Sequence, residues 1–369
     1  MKYNKLFLIT IVFILVSCNK KGSDTDTFGK KEMFTNYTEN LIIPAYQNYG
    51  TKLSDLKTTF DAFKIAPDLT KLATLQNAFS ATYEAWQYCE IYDKTAPADA
   101  LMSTENSNYY PCSADSIEAY ISRGDNTVAS IKSKRKYYKG LAAIEYLLFS
   151  RTLTNQEILD RYTNSANANS YKAYLGALIA NLQTIQSTIN TSWGNYSSIF
   201  IENLSTDASS AFSTMVNSIA QRTDDLKRMQ VGKPAGYQGN VSTPLIAPNT
   251  VQAYYSDHSI AYMLLTLQNM KDVLNGMAIT DGKGIIDYVR TLGYSSTFGG
   301  NLADDILNQI DVCIAKVNDC GADYSVTVSS NKPKADALFL ETKKLLVLMK
   351  VDLPSALGVS INYTDSDGD

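Results

Sequence analysis

Histidine is nearly missing from this chain: its 369 residues contain one, His258. Catalytic zinc commonly takes three protein ligands, with histidine prominent among them. A single imidazole therefore argues against a zinc peptidase, and no zinc is expected. An excess of basic charge is missing too. The 33 Lys and Arg against 37 Asp and Glu give a net charge of -4 and a pI near 5.2, so no nucleic-acid partner is expected. Beyond the N-terminus no stretch is long and apolar enough to cross a bilayer. Nowhere do apolar and polar residues alternate in the sustained manner of a half-buried strand. Cysteine is sparse, at five. Apart from Cys18 these are Cys89, Cys112, Cys313 and Cys320. Pairs Cys89–Cys112 and Cys313–Cys320 would suit an oxidising compartment, and free buried thiols suit the same positions equally. The second pair needs a helix that ends near Val317, because continuous helix would hold its Cα atoms about 10.5 Å apart, beyond disulfide reach. Asn318, Asp319 and Gly321 offer such an end.

At the N-terminus Lys2 and Lys5 precede an apolar run from Leu6 to Val16, then Ser17 and Cys18. The run is too short to span a bilayer and has the form of a signal peptide over residues 1–17. Leu15-Val16-Ser17-Cys18 reads as a lipobox, with cleavage before Cys18 and an acyl chain on its sulfur. The expected partner is thus a lipid membrane, held through Cys18. Asn19 to Lys31 is polar and lacks apolar periodicity, so residues 18–35 read as a flexible tether.

The remaining chain, about 350 residues long, is too large for one small core. Apolar residues recur at helical spacing: Leu41 through Phe63, with Pro44 expected to kink or start a helix; Leu72 through Trp86; Tyr171 through Ile189; Phe212 through Leu226; Leu302 through Val317; and Leu338 through Met349. Val251 to Val273 reads as one long helix. The fold class is all-α, helices packed as bundles. A dividing line near Asn190–Tyr196 gives an N-terminal bundle over 36–190 and a C-terminal bundle over 191–369. Loops are expected over Asn106–Asp125, Gly232–Pro248 and Gly276–Gly300, where Gly and Pro gather.

One stretch carries more than periodicity. Lys139-Gly140-Leu141-Ala142-Ala143-Ile144-Glu145-Tyr146-Leu147-Leu148-Phe149 resembles the central motif of the imelysin-like envelope proteins, Gly-x-His-x-x-Glu opening into an apolar run. Gly140 and Glu145 stand in place, while the histidine position is Ala142. On a helix that spacing sets an imidazole beside a carboxylate as a metal or acid/base pair; here the carboxylate stands alone. Other segments are similar to the family in the same order: Asn40–Tyr46, Ala85-Trp86-Gln87, Met229–Pro234, Tyr255–Ser259, Leu357–Tyr363 and Asp365–Asp369. The resemblance implies two related, pseudo-symmetric helical bundles. It also implies a lipid-anchored protein of the Gram-negative cell envelope, on the outer membrane or periplasmic face, linked to iron or haem uptake. The family's peptidase label transfers poorly to a chain with Ala142.

Glu145, amid Leu141, Ile144 and Leu148, must find a partner or stay near water, because lone buried charge is costly. Arg135 and Lys139 are structural partners in reach, and a ligand is the functional one. The basic run Lys132, Lys134, Arg135, Lys136 and Lys139 reads as a solvated helix face. His258 reads first as a core or interface histidine. A haem would need an axial His, Cys, Met or Tyr, and no residue is singled out for it. Asp365, Asp367 and Asp369 lack the later ligands of a calcium loop. The leading reading is a non-enzymatic binding lipoprotein for an unknown small ligand or metal, with iron or haem as the family's suggestion. Its pocket is expected to centre on Glu145 and Gly140, with contributions from Trp86, Asp257, His258 and Ser259. Two alternatives belong to other classes: a divergent metallopeptidase using Glu145 with His258, and a glycan-binding surface lipoprotein, for which 25 tyrosines would supply stacking faces.

Overall fold

The computed structural model describes residues 27–95, 103–237, 245–278 and 281–362. Cys18 and the acidic tail after Asn362 lie outside these residues. Among the described residues the regular structure is helical, apart from an isolated antiparallel bridge between Ser295 and Asn301. The chain opens with α1 (Lys30–Asn36), passes through a π-helical stretch (Tyr37–Ile42) and continues as α2 (Ile43–Ile65). Pro44 sits in the first turn of α2. The wider turn before it accommodates a ring that has no N–H to give. Helix thus begins at Lys30, inside the stretch read as a tether to residue 35, because Met33 and Phe34 are buried in the core.

Next come α3 (Leu69–Gln87), the short helices α4 (Ser103–Ser107), α5 (Ala114–Ser122) and α6 (Val128–Ser133), then α7 (Gly140–Leu148), α8 (Asn155–Thr163) and α9 (Ala168–Glu202). Asp68 caps α3 by accepting from the Lys71 N–H at 2.7 Å, and Thr154 with Glu157 forms a capping box on α8, each satisfying end amides that no helical carbonyl reaches. The line drawn between residues 190 and 191 falls within α9, which runs on to Glu202. The second half holds α10 (Ala211–Asp225) with a π-helical extension to Gly232, α11 (Ser259–Asn275), α12 (Ile285–Leu292), α13 (Leu302–Asp319), α14 (Tyr324–Ser330), α15 (Lys332–Val347) with a π-helical extension to Asp352, and α16 (Leu353–Leu357). Two expected loops therefore contain helices, α5 and α12.

The molecule is two packed helical bundles. In the first, α2 lies against α3 and α9, with α7 and α8 laid across α9; in the second, α13 packs between α11 and α15. The bundles meet where α3 packs on α11 and where α10 meets the turn Glu90–Tyr92. One hydrophobic core runs through both, from Met33 to Val359. Much of the tyrosine content is spent there: Tyr37, Tyr46, Tyr49, Tyr83, Tyr92, Tyr162, Tyr174, Tyr262 and Tyr324 are fully buried. Among the described residues no helix is long and apolar enough to cross a membrane. Cys89, Cys112, Cys313 and Cys320 are free thiols. α13 runs to Asp319, past the end at Val317 that a Cys313–Cys320 bridge would need.

Candidate functional site

Helix α7 carries the motif. Gly140 opens it with a φ of 80°, in the left-handed region that side chains disfavour. A Cβ there would stand 2.5 Å from the Ser107 carbonyl oxygen, so the glycine is what lets α7 pack against the end of α4. Three residues before Glu145, Ala142 packs in a small cluster with Tyr110, Met229 and Cys112.

Glu145 is 2 % exposed. Arg135 and Lys139 do not supply its partner; Ser256 does, donating both its N–H and its hydroxyl to Oε1 at 2.8 Å each. Burial pushes the carboxyl up to about 7 in spite of these bonds, and the nearby charge of Asp257 adds to the rise. The neighbouring Cys112 thiol is pushed up to about 12, first by burial and then by the charge of Glu145.

Ser256 belongs to a turn that replaces the first two turns of the helix expected from Val251. Ala253 (φ 54°) and Asp257 (φ 58°) are both left-handed, a conformation costing roughly 1–2 kcal/mol at each non-glycine residue, and α11 starts only at Ser259. Arg151 holds the turn from outside. It pairs with Asp257 at 2.7 Å and with Asp323, donates to the Tyr254 carbonyl at 3.1 Å and lies over the Tyr254 ring at 4.7 Å. Of the residues read from the sequence, the 255–259 segment does meet Glu145, through Ser256. Asp257 is taken by Arg151, and His258 lies on Tyr262 with ring centres 5.8 Å apart. Nδ1 of His258 is buried without a hydrogen-bond partner. The Ser259 hydroxyl accepts from the Tyr324 N–H at 3.2 Å.

Trp86 leads elsewhere. Its indole N–H donates to Glu90 Oε1 at 2.7 Å, and Glu90 is also paired with Arg222 of α10 at 2.6 Å. Asn108 donates to the same carboxylate oxygen and accepts from the Tyr83 hydroxyl at 2.6 Å. Arg222 in turn donates to Thr266 of α11 at 2.7 Å. This buried chain ties α3, α10 and α11 together at the junction of the bundles. Above it opens a cleft of about 410 Å³, lined by Glu90, Asp93, Lys94, Glu105, Asn108, Tyr109, Tyr110, Lys136, Ser218, Gln221, Arg222, Asp225, Arg228 and Met229. Arg228 pairs with Asp225 at 3.0 Å, and Lys136 with Glu105 at 2.6 Å. Asp225 has its side chain 25 % exposed, and desolvation pushes its carboxyl up to about 6 although Arg222 and Arg228 pull it down.

The cleft lies one layer from Glu145. Tyr83 links them, its hydroxyl driven well above the usual range first by burial and then by charges that include both Glu145 and Glu90. The motif position Ala142 touches the cleft wall at Tyr110 and Met229. Gly140, Glu145, Trp86, Asp257, His258 and Ser259 themselves do not line it. The basic run is only partly a solvated face: Lys132 and Arg135 are exposed, and the others are not. Lys134 is buried against Asp125 at 2.7 Å and over Tyr120 at 3.6 Å, Lys139 is buried beside the Lys132 carbonyl, and Lys136 lines the cleft. Sequence reading missed Glu90, Arg222, Asp225 and Arg228. The available signals were the i,i+4 spacing of Trp86 with Glu90 and the i,i+3,i+6 spacing of Arg222, Asp225 and Arg228.

A catalytic zinc does not fit these residues. Among the described residues no three of His, Cys, Asp and Glu converge, Ala142 offers no ligand, and the Glu145 oxygen nearest the turn is already bonded to Ser256.

Two helical bundles joined over a charged cleft, with the motif helix packed behind the cleft wall at Tyr110 and Met229, define a class that the comparisons identify. The imelysin family model matches residues 42–348, and the chain belongs to that family. The crystal structure of an imelysin-like protein from Psychrobacter arcticum is similar in fold, with a TM-score of 0.68, 18 % identity and coverage of 90 % of this chain and 97 % of that one. So is that of a protein described as an iron-regulated protein A precursor from Parabacteroides distasonis, with a TM-score of 0.70, 12 % identity and coverage of 91 % and 97 %. At these identities the likeness is one of fold. A comparison with curated proteins gives no match.

Proposed function

We propose that this protein is a lipid-anchored binding protein of the bacterial cell envelope, which takes a small polar ligand into the cleft above Glu90 and Arg222. The observation that carries the reading is the cleft itself. It is large enough for a small molecule, stands at the junction of the bundles, and is walled by charged groups of both signs. Concave sites with a few convergent polar groups are where small ligands bind. The lipobox supports the anchor. The relative described as an iron-regulated protein A precursor supports a link to iron and to export, and an iron chelate suits such a wall. Haem suits it less: burial raises the hydroxyls of both Tyr109 and Tyr110, which disfavours the phenolate an axial tyrosine would supply, and leaves the largely buried Met229 as the one axial candidate among the lining residues. Ala142 in the motif supports binding over proteolysis.

Titration of the purified protein with ferric citrate and with haemin, followed by calorimetry, tests the ligand class. Ferric citrate should bind and haemin should not, and Arg228→Ala should weaken the ferric citrate by about tenfold or more, as expected for loss of a charge-assisted contact. Chelator-sensitive digestion of casein would overturn the reading.

A further inference from the structure

We propose that the loop from Gly293 to Asn301 is the surface on which the body of the protein rests against the bilayer that holds its anchor. The inference depends on acylation at Cys18 as proposed above. The loop follows directly on α12 and is closed on itself. The Leu302 N–H donates to the Tyr294 carbonyl at 3.0 Å, and the Ser296 N–H to the Gly300 carbonyl at 2.9 Å. It is also pinned to its surroundings: the Ser296 hydroxyl donates to Asp305 at 2.5 Å, and Thr297 gives its N–H (2.8 Å) and its hydroxyl (2.5 Å) to Asp352. A loop fixed this firmly nevertheless turns Tyr294 and Phe298 outward, each 52 % exposed, with Val351, 55 % exposed, next to the Asp352 that anchors it. Scattered exposed apolar residues need no explanation. Two aromatics held outward by one braced loop are the kind of feature that marks an interaction surface, and Tyr and Phe both suit a membrane interface.

The leash selects the partner. Nine peptide steps separate Cys18 from Thr27. At no more than about 3.5 Å each they reach about 30 Å, however they are arranged. The chain then docks at once on the helix that leads into the loop: the Phe28 ring lies 4.9 Å from that of Tyr288, and the Lys30 ammonium lies 5.0 Å above the same ring. From Tyr288 to the end of α12 at Leu292 is about 6 Å of helical rise, and Tyr294 follows two residues on. The anchor therefore holds this end of the molecule at the lipid. The exposed pair Ile65 and Leu69 lies at the far end of the helix that starts at Lys30, about 50 Å away by helical rise. Asp304, Asp305 and Asp352 stand about the loop, with Arg290 and Lys30 as counter-charges on the helix that leads into it. That surround suits a zwitterionic lipid surface over a strongly anionic one.

The test uses the acylated full-length protein in vesicles of phosphatidylethanolamine and phosphatidylcholine, with the variant Phe298→Trp. Trp86 and Trp193 are both buried and emit a constant background that the lipid does not reach, measured on the wild type and subtracted. The emission added by the variant over the wild type should shift to the blue in vesicles and be quenched when the lipids are brominated in their acyl chains. Ile65→Trp should show neither change. Unquenched emission from the Phe298→Trp protein while it sediments with vesicles would overturn the proposal and leave the anchor standing, as would equal quenching of the Ile65→Trp protein. Absence of an acyl chain on Cys18 by mass spectrometry, with sedimentation unchanged by Cys18→Ala, would remove the anchor and the proposal together.

Discussion

Glu145 is the carboxylate that the motif keeps once its imidazole position is alanine, and its environment sets a pH signature. Its folded pKa is raised by burial to about 7 from an ordinary 4.5. A carboxyl raised in the folded state favours folding while it is protonated, so its contribution is full below the unfolded value and is lost as pH rises through about 7. A rise of that size is worth roughly 3 kcal/mol. Glu145→Gln removes the titration and keeps an oxygen to accept from Ser256. Urea unfolding at pH 4 and pH 8 should show wild type losing about 3 kcal/mol relative to the variant over this window; parallel pH profiles would contradict it. Gly140→Ala should cost about 2 kcal/mol or more, from positive φ and the clash with Ser107, and native-like denaturation would count against that account. Glu145 was readable as a buried carboxylate needing a partner, because apolar neighbours surround it in sequence. Its partner was not, because Ser256 lies 111 residues away and reaches it only through a turn that the apolar spacing of Val251–Val273 conceals.

Elements show the same division. The apolar stripes fall on α2, α3, α9, α10, α13 and α15 because burial of one helical face dictates them. The stretch before α11 departs from helix because side chains from other elements, Arg151 and Glu145, bind the alternative backbone; periodicity carries no trace of that. The cleft charges were hidden for a related reason. Glu90 follows the end of α3 and Arg222 sits within α10, and each looks in isolation like a solvent-facing charge. Their pairing is one of the contacts that join the first bundle to the second. Glu90→Gln should destabilise by about 3 kcal/mol or more, since it leaves Arg222 buried without its counter-charge. Glu90→Gln with Arg222→Met should cost clearly less than the two single changes summed. Additive values in a urea double-mutant cycle would show that the pair does not couple the bundles.

Across the whole molecule the two bundles share one core, and the cleft lies at their junction without breaking it. The family membership fixes the architecture, and this chain's own residues differ in chemistry: where the motif would place an imidazole, Ala142 packs behind the cleft wall against Tyr110 and Met229. The proposed function requires a small polar ligand in the cleft and no catalytic zinc. Native mass spectrometry of the protein isolated from its own envelope, beside Arg228→Ala, tests it most directly. The wild type should carry a small-molecule adduct that is lost in the variant, with no zinc on either. Stoichiometric zinc on both, with no other adduct, would contradict it.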